Sequence, residues 1–111
     1  MPFSDYFTVE DGNMIRRLDP STDSGQVYCP MKSIKIPSSV TYITSGCLFE
    51  CGKLRKIKIP ASVKRIGEEA FRRCSGLKKA IIYGTNLQHL PPGCFYECMS
   101  LSVVKIFSPI W

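Results

Sequence analysis

Polar and apolar residues alternate over Lys56-Ile57-Lys58-Ile59, and related alternations return at intervals of 23 or 24 residues. Apolar residues recur at matching places around each of them. Met31, Leu54, Leu77 and Leu101 open successive copies. Ile34, Ile57, Ala80 and Val104 follow three residues on, then Ile36, Ile59, Ile82 and Ile106. Val40, Val63 and Leu87 come next, followed by Ile43, Ile66 and Leu90, and each copy carries a cysteine near its end, Cys51, Cys74 or Cys98. The copies run 31–53, 54–76 and 77–100, the third with one extra residue near Gly84. A fourth begins at Leu101 and reaches Trp111, about half way. A period of this length is the mark of a repeat architecture.

Each copy predicts the same elements. Strict alternation reads as a short half-buried strand. Pro37 and Pro60 each remove a ladder donor and should end it. Gly67 to Arg73 reads as a short helical turn, with Glu68 and Glu69 at its start and Arg72 and Arg73 at its end, as a helix dipole favours. Gly76 then suits a left-handed exit. Arg65 holds an exposed turn position that Tyr42 and His89 share. One unit cannot bury its own apolar face; stacked units can, through a parallel sheet. Ile57, Ile59, Val63, Ile66, Ala70, Phe71, Cys74 and Leu77 should share one core.

The pattern Leu54-x-x-Ile57-x-Ile59-Pro60-x-x-Val63-x-x-Ile66-Gly67-x-x-Ala70-Phe71-x-x-Cys74-x-x-Leu77 resembles the BspA-like leucine-rich repeat family. The resemblance spans Met31 to Ile106, about two thirds of the chain. Leu48 stands for the usual aromatic, and Thr44 and Pro91 for the usual glycine. It implies an α/β solenoid: a short leucine-rich repeat array of about three and a half repeats over residues 31–111, with parallel strands on the concave face and short helical turns on the convex side. It also implies a repeat-built surface or adhesion protein that binds other proteins.

Residues 1–30 do not fit the repeat. Phe7 and Val9 alternate before Asp11-Gly12-Asn13, a strong turn signal, and Met14-Ile15 follow, which suggests a hairpin. Asp19 to Gly25 is a loop by composition. With Phe3, Tyr6, Phe7 and Tyr28 to cover an open end, the segment reads as an N-terminal cap; a leader left at a domain boundary is the alternative. The 111 residues suffice for one domain. The apolar fraction of 44% argues against disorder. No apolar run approaches the roughly 18 residues of a membrane span. The first thirty residues lack the pattern of a signal peptide, so the expectation is a cytoplasmic protein or a fragment of a larger surface protein.

Charge then changes the picture. Residues 1–30 carry five acids and two bases, residues 32–79 twelve bases and three acids, and the whole chain is +6. With Ile57 and Ile59 inward, Lys56 and Lys58 point outward, and the same register exposes Lys35, Lys79 and Lys105, with Ile81 and Val103 among them. Such a concave ladder suits an anionic partner: an acidic protein surface, a sulfated or acidic glycan, or phosphate. Outward lysines also serve plain solubility. Nucleic acid is disfavoured, since no recognition motif or interleaved aromatic accompanies the charge. Lys64, Arg65, Arg72 and Arg73 form a second basic group on the turn and convex side.

Little else carries chemistry. Cys47/Cys51 and Cys94/Cys98 share a CxxxC spacing, but they sit at inward repeat positions where free cysteine packs as a small hydrophobe; disulfides and a metal rank behind. Cys29 completes the six. His89 lacks a companion nucleophile and acid, and Glu68 and Glu69 diverge around a turn, so neither catalysis nor a cofactor is expected. The Gly84 insertion reads as a tolerated loop, and Trp111 as an end cover or a sticky edge. The expected function is a non-enzymatic protein-binding module whose contacts are Lys35, Lys56, Lys58, Lys79 and Ile81. The alternative is a structural repeat piece that stacks or self-associates through its open ends.

Overall fold

The computed structural model describes residues 2–83 and 90–107. The expectations placed on Gly84, Leu87, His89 and Trp111 lie outside the described residues. The chain opens with a 3-10 turn, Phe3–Asp5. Strands β1 (Phe7–Glu10) and β2 (Asn13–Arg16) then form an antiparallel hairpin. Its two-residue loop places Asp11 at φ +51° and Gly12 at φ +82°, the doubly left-handed turn that matches strand twist.

Six further strands come from the repeat: β3 (Ser33–Lys35), β4 (Tyr42–Ile43), β5 (Lys56–Ile59), β6 (Arg65–Ile66), β7 (Lys79–Ile82) and β8 (Val103–Ile106). They build two sheets, ordered β3-β5-β7-β8 and β1-β2-β4-β6. Pairing between copies is parallel and follows the period: Ile34 pairs with Ile57, Ile57 with Ala80, and Ala80 with Val104. Tyr42 and Arg65, read from sequence as turn positions, instead lie in the short strands 42–43 and 65–66 of the second sheet. Two residues are too few for alternation to announce a strand; pairing with the neighbouring copy creates it.

The predicted helical turn at Gly67 to Arg73 is not helical. Among the described residues the only helical element is the 3-10 turn at Phe3–Asp5. Instead, successive tight turns close at Ala70 N to Gly67 O, Arg72 N to Glu69 O and Cys74 N to Phe71 O. Glu69 and Arg73 sit at φ +58° and +61°, which breaks any helix at two points. The turns form a third face with its own ladder between copies. Leu48 N donates to Ala70 O (2.8 Å) and Glu50 N to Arg72 O (2.9 Å); one copy on, Phe71 N donates to Cys94 O and Arg73 N to Tyr96 O. An α-helix would keep these groups for itself.

Gly76 is not left-handed either. A β-carbon there would lie 2.4 Å from Gly52 O, and one on Gly67 would lie 2.3 Å from Ser45 N. Both glycines are spaces for the previous copy's backbone. Between the faces runs one core. Ile57, Ile59, Val63, Ile66, Ala70, Phe71, Cys74 and Leu77 are all buried in it, as their positions predict, and so are Phe7 and Met14 of the hairpin. Among the described residues no helix is long and apolar enough to cross a membrane.

Candidate functional site

The sheet β3-β5-β7-β8 sets the outer lysines in two rows. One row reads Ser33, Lys56, Lys79, Val103; the other reads Lys35, Lys58, Ile81, Lys105. Lys35, Lys56, Lys58 and Lys105 are exposed, and Lys79 is half-buried. Ile81 keeps its place in the row but is only 7% exposed, so it offers little surface. It stands in register between Lys58 and Lys105, whose aliphatic stems can cover it. Beside it, Ser33, Lys35, Lys56 and Lys58, with Pro60 and Tyr83, line a groove of about 510 Å³.

The two basic groups differ in how their charge is met. Arg72 bonds Glu69 and Glu97, and Arg73 reaches Glu97 at 3.4 Å and Glu50 at 3.9 Å. Arg65 lies over the Tyr42 ring at 4.1 Å. On the turn side, then, Arg72 and Arg73 are met by glutamates, Glu69 from their own copy and Glu50 and Glu97 from the copies on either side. The lysine rows have no ion pair among the described residues. Strand neighbours are about 4.8 Å apart, so Lys35 beside Lys58 and Lys56 beside Lys79 repel each other.

All six cysteines are unbonded, and five are buried. Cys29, Cys51, Cys74 and Cys98 form a column of neighbouring thiols. Cys74 Sγ lies 3.0 Å from Leu48 O and Cys98 Sγ 2.9 Å from Phe71 O. Burial pushes the Cys47 and Cys94 thiols up to about 12. Cys51 goes the other way: the adjacent Cys29 and Cys74 thiols, then Arg16, hold it well below the ordinary thiol range. Cys29 belongs to this column although it precedes the first copy as read from sequence. Its signal was there, because Cys29 to Met31 nearly repeats Cys51 to Leu54.

Arg16 is the residue that sequence reading overlooked. It is 5% exposed. Its Nη1 donates to Cys47 O and Phe49 O, both at 3.1 Å, and lies 3.4 Å from Cys51 Sγ. Nε and Nη2 donate to Val27 O. Cys47 and Phe49 occupy the repeat positions of Ala70 and Arg72, whose carbonyls accept from the previous copy. Arg16 thus supplies the first copy with donors that a preceding copy gives the second. No carboxylate within salt-bridge reach accompanies it among the described residues. The available cue was period-2 alternation, which puts Arg16 on the same side of β2 as the buried Met14.

Residues 27–110 match the profile of the BspA type leucine rich repeat region (6 copies). The chain belongs to this family. It is also similar to two solved structures. One is a leucine-rich repeat protein from Eubacterium ventriosum, at 18% identity over 93% of this chain and 40% of that one, with a TM-score of 0.48. The other is a leucine rich cell surface protein from Faecalibacterium prausnitzii, at 15% identity over 92% of this chain and 40% of that one, with a TM-score of 0.38. This chain therefore spans two fifths of the length of each. None of the curated proteins matches it.

Proposed function

We infer that the chain is a non-enzymatic protein-binding module of a leucine-rich repeat solenoid, and that its partner is acidic. Residues 1–30 close its N-terminal end and residues 31–111 form the array. Lys35, Lys56, Lys58 and Lys79 are the contacts, on the face read as concave; Ile81 contributes mainly to packing. The observation that supports this is the contrast in charge pairing. Arg72 and Arg73 on the turn side are matched by glutamates, whereas among the described residues the lysines placed side by side on the sheet are not. An anion laid across Lys35, Lys56, Lys58 and Lys79 relieves their repulsion. A surface or adhesion role accords with this reading.

Changing Lys35, Lys56, Lys58 and Lys79 together to serine is expected to weaken binding of an acidic polypeptide such as poly-glutamate. The salt dependence of binding should flatten in parallel. Equal affinity and equal salt slope in the variant would reject the lysine contacts.

A second reading rests on β8, where Val104 and Ile106 are 43% and 48% exposed although their counterparts in β5 and β7 are buried. In that reading the chain is a structural segment that stacks with further repeats or with itself. Light scattering over a concentration series separates the two, since a closed binder stays monomeric.

A further inference from the structure

The two sheets end differently at the N-terminal side. The edge at β4 is paired by β2 of the hairpin. The other sheet begins at β3, which among the described residues pairs only with β5. One side of β3 is therefore a sheet edge, with alternate backbone N–H and C=O groups directed outward. The groove lies over the sheet face beside this edge: Ser33, Ile34, Lys35 and Ile36 line it, together with Lys56 and Lys58 of β5, Pro60 and Tyr83.

We propose that the β3 edge is a docking site for an extended acidic peptide, which adds to the sheet as a fifth strand. The proposal rests on the lysine-face reading and goes beyond it, because it names the geometry of the partner. β3 alternates in its burial: Ser33 and Lys35 are exposed, while Ile34 and Ile36 face the core at 5% exposure. A strand laid beside it alternates in the same way. Its outward side chains meet Lys35 and, one strand further, Lys56 and Lys58, so they should be acidic. Its inward side chains lie level with Ile34 and Ile36, so they should be apolar. Backbone bonds to the edge give affinity, and the alternating side chains give selectivity.

Charge also decides against the simplest competitor. A lysine on an edge strand is a common guard against pairing with another copy. Here a second copy would bring Lys35 against Lys35, and like charges facing each other across strands are unfavourable. The same guard admits an acidic strand.

The probe is a fluorescein-labelled peptide of alternating glutamate and valine, eight residues long, titrated by anisotropy against the whole chain. Two further versions carry N-methyl groups on alternate residues, one in each phase. Only alternate amides of an added strand face the edge. One phase should therefore lose about tenfold or more in affinity, as for two or more lost hydrogen bonds, and the other should be nearly unaffected. If both phases bind like the unmodified peptide, the edge-strand proposal fails. Equal affinity for poly-glutamate or heparin at matched charge would overturn it too, leaving charge attraction alone. The combined Lys35→Ser, Lys56→Ser and Lys58→Ser variant tests the reading beneath. It should weaken every peptide version that binds; an unchanged affinity would remove the lysine face itself, whatever the N-methyl pair shows.

Discussion

The two ends of the repeat array carry similar sequences and meet very different surroundings. At the N-terminal end, β4 is paired by β2, and the carbonyls of Cys47 and Phe49 are bonded by Arg16. At the other end, all four residues of β8 are exposed. There the amides of Phe95 and Glu97, equivalent to the donating amides of Phe71 and Arg73, have no acceptor among the described residues. Stacked repeats have a polarity on the turn face, since each copy donates N–H groups forward and accepts on its carbonyls from behind. The end that presents carbonyls needs a donor, and a guanidinium offers five in a planar fork with no acceptor of its own. The end that presents amides would need an acceptor instead. A single arginine could not serve there.

The largest expected effect comes from removing that donor. Arg16→Met should destabilise the fold by about 3–5 kcal/mol, measured by urea unfolding, because it leaves the carbonyls of Val27, Cys47 and Phe49 without their donor at once. Arg16→Lys should recover only part of this, since an ammonium lacks the fork. A loss under about 0.5 kcal/mol for Arg16→Met, the range of ordinary surface changes, would show that the first copy does not depend on it.

A smaller effect concerns Cys51, whose Sγ lies 3.4 Å from Arg16 Nη1. Its folded-state pKa is depressed. The stability it contributes is therefore fully present above the ordinary thiol value of about 8.5 and is lost as pH falls through the lowered folded value. Between about pH 5 and 8 most carboxylates are already ionised, so stability should rise with pH in that range, and Cys51→Ser should flatten the rise. Equal slopes in both proteins would mean that Cys51 stays protonated beside Arg16.

The smallest effect is expected at the open end. Ile59, Ile82 and Ile106 share one register position. Ile59→Ala should cost about 2–5 kcal/mol, as for a filled core site. Ile106→Ala, at nearly half exposure, should cost under about 0.5 kcal/mol. Equal costs in a chemical unfolding series would show that the fourth copy is packed in solution.

Much of this was legible in the chain. The alternation at Lys56 to Ile59 and its return every 23 or 24 residues announced the larger sheet, its register and its core. The lysine face followed from the same alternation. The helical turn at Gly67 to Arg73 was misjudged because its acids and bases are placed as a helix would place them. The bases reach neighbouring copies instead, as Arg72 and Arg73 do with Glu97.

The sequence by itself determined the features that depend on near neighbours: the period, the strand alternation, the hairpin turn at Asp11-Gly12 and which residues face inward. The tertiary structure alone decided the features that depend on distant ones. Arg16 bonds carbonyls 31 and 33 residues away. Gly67 and Gly76 make room for the previous copy's backbone, and the second sheet exists only where Tyr42-Ile43 and Arg65-Ile66 meet. The physical reason is that one copy leaves its backbone donors, acceptors and charges unmatched. Which group matches them is set by the neighbour it stacks on, and no local pattern records that.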